Sequence, residues 1–124
     1  MDNLPVVDTL PVFELRFYSA QWAGPALQMR HIFDEVSVDI RNYLTSLHGE
    51  DAGKLLSAVV VDVDEQPELA DRFTVQAVPT IQLLDGNEPI LSLVGARPKI
   101  AVRNAIIESI EKRGNIAVST NKKE

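Results

Sequence analysis

Two buried-strand patterns, separated by a long amphipathic stretch, dominate the first half of the chain. Val12 to Tyr18 is a nearly continuous apolar and aromatic run, which is typical of a strand covered on both faces. From Gly24-Pro25 to about His48, apolar side chains recur every three or four residues, and this spacing predicts a helix about 36 Å long. Ala58 to Val63 is a second, β-branched strand pattern. A strand, a helix and a strand in this order favour an α/β fold.

Proline and glycine divide the second half into short elements. Pro67 opens a short helical pattern, and two apolar runs, Val78–Leu84 and Ile90–Gly95, follow it. Asp85-Gly86 between these runs is a hairpin signal, and the residues after it predict a loop of more than two residues. A final amphipathic helix is predicted from Pro98 to about Arg113. We therefore predict a mixed central sheet of four to five strands, with helices on both faces.

The 124 residues are enough for one domain with a sizeable core. We assign residues 1–114 to that domain, with a reduced N-terminal element before residue 12 and a peripheral strand near Leu4 to Val7. Residues 115–124 are predicted to be a polar C-terminal tail. The chain contains no Cys, which excludes disulfides and thiolate chemistry.

Charge and hydropathy narrow the classes of partner. A formal net charge of −6 argues against nucleic acid, which is bound through Lys and Arg. No stretch approaches the roughly 18 apolar residues that span a membrane, and the first residues lack the order of a signal peptide. We expect a cytoplasmic monomer that binds no membrane, metal or cofactor. His31 is predicted to lie on the surface of the long helix and His48 at its end. The acidic residues of 62–71 lack calcium-loop spacing, and we predict that they form a solvated charged patch.

Three segments resemble the thioredoxin family. Trp22-Ala23-Gly24-Pro25-Ala26 is similar to its W-C-G-P-C motif, and it stands, as in the family, between a strand and a long helix. Val61–Thr80 resembles the family's third strand, short helix and V-P-T region. Leu83–Gly86, followed by Leu93–Gly95, is similar to its closing hairpin. The resemblance covers about residues 12–112 and implies the thioredoxin-like fold.

This resemblance also implies a groove for an extended peptide. In the family a cis proline lies beside the motif turn, and the backbone before it pairs with a segment of the bound partner. A tryptophan at the exposed motif position favours a binding surface over a purely turn-closing role. The residues that the resemblance assigns to the groove are Trp22, Gly24, Pro25, Val78, Pro79 and Gly95.

The departures from the family remove its chemistry. Ala23 and Ala26 stand at the positions of the two redox cysteines, and a methyl group cannot attack a disulfide. The family's buried Asp falls at Phe17, and the Lys that often accompanies it falls at Val60. No ionisable side chain at these positions could shift the pKa of a thiol. As written, the chain therefore has no catalytic residue and is not a disulfide-exchange enzyme.

Three functions fit these observations. The first is a redox-inactive adaptor or chaperone-like module that binds a protein or an extended peptide in the groove. It is favoured because the chain lacks the family's buried acid and the accompanying Lys as well as the thiols. It also has His31 at the position of the proline that kinks the family's long helix. The second is a Cys-to-Ala variant, at Ala23 and Ala26, of an active thioredoxin-type protein-disulfide reductase, which the intact Trp22 and Pro79 framework favours. The third is a purely structural domain in which both alanines are core and turn residues.

Overall fold

A computed structural model describes residues 12–122, and the side chains of residues 12–49, 52 and 54–113. The predicted strand near Leu4 to Val7 lies outside the described residues. The elements are β1 (Phe13–Ser19), α1 (Gly24–His48), a 3-10 helix (Glu50–Leu55), β2 (Leu56–Asp62), α2 (Pro67–Arg72), β3 (Thr80–Asp85), β4 (Glu88–Val94) and α3 (Lys99–Lys122).

Four strands form one mixed sheet in the order β2-β1-β3-β4. β1 is parallel to β2 and antiparallel to β3, so that Phe17 lies opposite Val60 on one side and Ile81 on the other. A parallel pair needs a crossover connection, and α1 supplies it. The predicted α/β fold with a mixed sheet is therefore confirmed, with four strands.

The two long helices pack on one face of the sheet. Phe33 of α1 stacks on Phe17 of β1 with ring centroids 5.4 Å apart. Lys99 and Arg103 of α3 form ion pairs with Asp39 of α1 at 3.5 and 3.7 Å, which join the two helices at their surface. Beneath these pairs lies the apolar core, whose members on α1 and α3 are Ala26, Met29, Phe33, Val36, Ile40, Leu44, Val102, Ile106 and Ile110.

A hydrogen-bonded network occupies the other face of the sheet. The Tyr18 hydroxyl donates to Gln82 Oε1 at 2.8 Å and accepts from Arg16 Nη1 at 3.1 Å. Gln82 Nε2 continues the network to Ser92 Oγ at 3.0 Å. Phe73, which follows α2, lies against this face, because its ring centroid is 4.4 Å from the Arg16 guanidinium carbon. Helices thus flank both faces of the sheet, as predicted.

The β3–β4 hairpin is tighter than the predicted one. Asp85 pairs with Glu88, so the loop contains only Gly86 and Asn87, and the prediction of a longer loop was wrong. Gly86 has a φ of 64°, which suits the first position of such a turn. Pro89 fits inside β4 because this strand is at the sheet edge, and because the register shifts at Leu83/Leu84.

α3 extends beyond its predicted end. The pattern predicted a helix ending near Arg113, whereas the structure continues it to Lys122. Arg113 Nη2 ties the helix to the hairpin through Asp85 at 2.8 Å and Glu88 at 3.1 Å. The division into a domain at 1–114 and a tail at 115–124 stays a prediction. Within the described residues, no helix is both long and apolar enough to cross a membrane.

Candidate functional site

Four loops meet at the edge of the sheet where β1, β2 and β4 end and β3 begins. Ser19, the last residue of β1, lies opposite Asp62, the last residue of β2. Tyr18 lies opposite Thr80, and Thr80 lies opposite Val94 at the end of β4. The loops after β1, β2 and β4 and the loop before β3 therefore leave the sheet side by side. Binding sites in α/β sheets commonly lie outside the carboxyl ends of parallel strands.

Ala23 ends the turn between β1 and α1, and Ala26 lies in the first turn of α1. Ala23 N–H donates to Ala20 O at 3.1 Å, and Ala26 N–H donates to Ala23 O at 3.0 Å. Ala23 has extended backbone angles and gives α1 no side-chain cap, while Pro25 occupies the first turn of the helix. Ala23 and Ala26 are only 7% and 3% exposed and belong to the apolar core. Their methyl groups pack, and they offer no nucleophile.

The loop before β3 presents an unpaired stretch of backbone. The Val78-Pro79 peptide bond is cis, as the resemblance implied, and Pro79 is buried. Gly95 N–H donates to Pro79 O at 2.8 Å, and Thr80 Oγ1 donates to Ala77 O at 2.7 Å. The N–H and carbonyl of Val78 bond to no other residue in the described part of the chain. An extended segment could bond to both groups.

Trp22 lies on the surface of the same edge. Its side chain is 69% exposed, and its indole Nε1 donates to Asp64 Oδ2 at 2.9 Å. Asp64 lies in the loop after β2, where its N–H donates to Asp62 Oδ1 at 2.9 Å. Glu65 N–H donates to the same oxygen at 3.3 Å. The indole is therefore oriented by a loop that is itself held in place by hydrogen bonds.

Sequence reasoning missed Asp64 as a member of this site. It assigned the residue to a solvated acidic surface, because the acidic spacing matched no metal-binding loop. The available signal was its position: Asp64 follows the end of β2, and parallel strands bring their carboxyl ends to the same edge. Within the described residues, no group of three or more His, Cys, Asp or Glu side chains could hold a metal ion.

A shallow pocket of about 170 Å³ lies on the β2 side of the motif turn. Leu27, 77% exposed, and Val60, 41% exposed, are apolar residues of its rim. Neither Trp22 nor Pro79 lines it, so the pocket and the predicted groove are separate features. The residues that line it are Ser19, Ala20, Gln21, Ala23, Ala26, Leu27, Val60 and Asp62.

All six predicted groove residues lie at this edge or in the loops that leave it. Pro79 and Gly95 are joined directly by a hydrogen bond. Gly24 and Pro25 are exposed at the start of α1, and a Cβ at Gly24 would meet nothing within 4 Å. His31 is exposed on α1, and His48 lies at the opposite end of that helix.

Comparisons with known proteins agree on one family. A family model described as Thioredoxin matches residues 12–108. The bifunctional thioredoxin reductase/thioredoxin of Mycobacterium leprae is 32% identical over 83 residues, which are 67% of this chain and 16% of that protein. Thioredoxin of Listeria monocytogenes is 30% identical over 64% of this chain and 66% of its own length. Thioredoxin 1 of Chlorobaculum tepidum is 31% identical over 89% of this chain and 95% of its own.

Solved structures show the same fold. The N21Q mutant thioredoxin from Halobacterium salinarum aligns with a TM-score of 0.58 and 22% identity, over 88% of this chain and 84% of its own. The germline-specific thioredoxin Deadhead from Drosophila melanogaster aligns with a TM-score of 0.62 and 20% identity, over 86% of this chain and 90% of its own. At these identities the likeness establishes the fold alone.

Proposed function

Because the chain belongs to the thioredoxin family and contains no Cys, we propose that it is a redox-inactive protein-binding module of the adaptor or chaperone-like kind. It holds an extended segment of a partner protein in the groove between Trp22 and the loop before β3. The observation that carries this proposal is the backbone of Val78, which bonds to none of the described residues, next to a buried Pro79 and at the same edge as an exposed tryptophan. We expect it to act as a cytoplasmic monomer.

The geometry suits strand addition. In this mode the main chain of the bound segment supplies hydrogen bonds, and neighbouring side chains supply selectivity. The N–H and carbonyl of Val78, which are unpaired within residues 12–122, offer one donor and one acceptor. Trp22 adds a large rigid surface whose ordering costs little conformational entropy.

Disulfide exchange has no chemical basis in this chain. The reaction needs a thiolate to attack one sulfur of the disulfide, and positions 23 and 26 carry methyl groups. Phe17 is buried and stacked on Phe33 where the family has its acid. A Cys-to-Ala variant of an active reductase remains the second candidate, favoured by the intact backbone bonds of the turn at Ala23 and Ala26.

The decisive experiment is affinity capture with a matched pair of variants. The immobilised wild-type chain should capture protein partners, which mass spectrometry identifies. The Trp22→Ala variant should capture at least tenfold less of each partner, because hot-spot aromatic residues dominate such interfaces. Leu47→Ala is the control, since Leu47 is another exposed apolar residue, near the opposite end of α1. Far-UV circular dichroism checks that both variants fold. Equal capture by wild type and Trp22→Ala would rule out the groove.

A further inference from the structure

Resting on the proposed function, we infer that the groove selects a segment that places a lysine or arginine against Trp22 and Asp64. The indole ring and the carboxylate bonded to its Nε1 form one composite surface, with an apolar face and a negative edge. A long cationic side chain matches both parts. Its stem lies on the ring, and its charge reaches the carboxylate.

The charge of Asp64 has no cationic partner in the described chain. Among the described residues, Trp22 alone bonds to its side chain, and the indole is a neutral donor. On α1 and the hairpin, by contrast, carboxylates pair with cations, as Asp34 does with Arg30 and Asp85 with Arg113. The described carboxylates from the last residue of β2 to the end of α2 are Asp62, Asp64, Glu65, Glu68 and Asp71, and none of them forms an ion pair with a described residue. The negative potential beside Trp22 is therefore available to a partner.

The opposite end of the same edge carries the opposite charge. Arg97 follows β4, and its guanidinium makes no ion pair in the described chain, while its Nε donates to Val94 O at 3.4 Å. Because β2 and β4 are the outer strands, the ends of these strands, which Asp64 and Arg97 follow, lie about three strand spacings apart, or roughly 14 Å. The groove therefore favours a cation at its Trp22 end, not a uniformly basic segment.

Three peptides test the inference. They are blocked, tryptophan-free peptides of the sequence Ser-Val-Xaa-Val-Ser, in which Xaa is Lys, Gln or Glu. Trp22 is the only tryptophan of the chain, so its emission reports binding directly. A cation over an exposed ring and one surface ion pair together predict about tenfold tighter binding of the Lys peptide than of the Gln peptide. The Glu peptide should bind most weakly.

Asp64→Asn isolates the charge. The amide oxygen of Asn can still accept the Trp22 hydrogen bond, so the indole keeps its orientation. The preference for Lys over Gln should then fall to about threefold, which is the share of the cation–π contact. Glu68→Gln is the control, because it removes the same charge from the same acidic stretch at a residue that does not bond to Trp22. It should leave the preference unchanged.

The outcomes separate the two proposals. If the three peptides bind equally and a Trp22→Ala variant loses them by calorimetry, the cation preference is wrong and the groove stands. If Asp64→Asn and Glu68→Gln reduce the preference equally, the preference comes from general surface charge and not from a contact with Asp64. If no peptide binds at millimolar concentration, the proposed function and the cation preference fall together.

Discussion

At the residue scale, three side chains decide what this chain can do. Ala23 and Ala26 place inert methyl groups in the core where the family places sulfur, and Trp22 leaves its indole in solvent. The Phe17 ring fills the space behind the turn by stacking on Phe33. The loss of thiol chemistry and the proposed binding surface therefore lie within a few residues of each other.

Introducing thiols at positions 23 and 26 tests whether the rest of the site can support disulfide exchange. The double variant Ala23→Cys, Ala26→Cys should fold, because the turn is already formed and each change adds one sulfur atom. Its reduction of insulin disulfides should be on the order of a hundredfold slower than that of an active thioredoxin, since Phe17 cannot relay a proton. Turnover equal to that of the active protein would instead favour the Cys-to-Ala alternative.

At the element scale, the β3–β4 hairpin depends on one backbone conformation. Gly86 has a φ of 64°, which side chains with a Cβ adopt at an energetic cost. A Cβ at this position would meet nothing within 4 Å, so any destabilisation comes from the backbone and not from a clash. Asn is the residue that tolerates this region best after Gly.

Two substitutions at Gly86 separate backbone strain from packing. Gly86→Ala should lower the free energy of unfolding by about 1–2 kcal/mol, and Gly86→Asn by clearly less. Urea denaturation followed by circular dichroism measures both. Equal loss for Ala and Asn would show that something other than φ controls this turn.

At the scale of the whole molecule, the two faces of the sheet are stabilised by different forces. The face under α1 and α3 is an apolar core. On the other face, Arg16, Tyr18 and Gln82 are buried polar residues joined by hydrogen bonds across β1 and β3. No buried side-chain nitrogen or oxygen among the described residues lacks a partner. Such a network is stable only while it is complete.

Tyr18→Phe should therefore destabilise the whole domain. It removes the donor to Gln82 Oε1 and the acceptor for Arg16 Nη1, and leaves buried polar atoms unsatisfied, at a cost of about 1–3 kcal/mol. Tyr43→Phe is the matched control, since the Tyr43 hydroxyl bonds to Glu111 at an exposed position and its loss should cost under about 0.5 kcal/mol. Urea unfolding compares the two variants. Similar losses would contradict the network's role.

The resemblance predicted the cis bond before Pro79, which the structure has, and the groove positions at Trp22 and Gly95, which stay a prediction. Each has a recognisable neighbouring residue in the chain. The resemblance did not predict the hydrogen-bond partner of Trp22. Asp64 is 42 positions away, and no local pattern connects an indole with a carboxylate at that separation. The prediction of the hairpin loop length was wrong for a related reason. Pro89 argues against a strand unless that strand is known to be an outer strand of the sheet.

The amino-acid sequence by itself determined the order of strands and helices and the absence of thiol chemistry, because periodicity and composition are local properties. Only the tertiary structure decided which loops share an edge, left Val78 without a backbone partner among the described residues and placed Asp64 against Trp22. Strand order and register bring these groups together, and long-range pairing depends on the packing of the whole sheet.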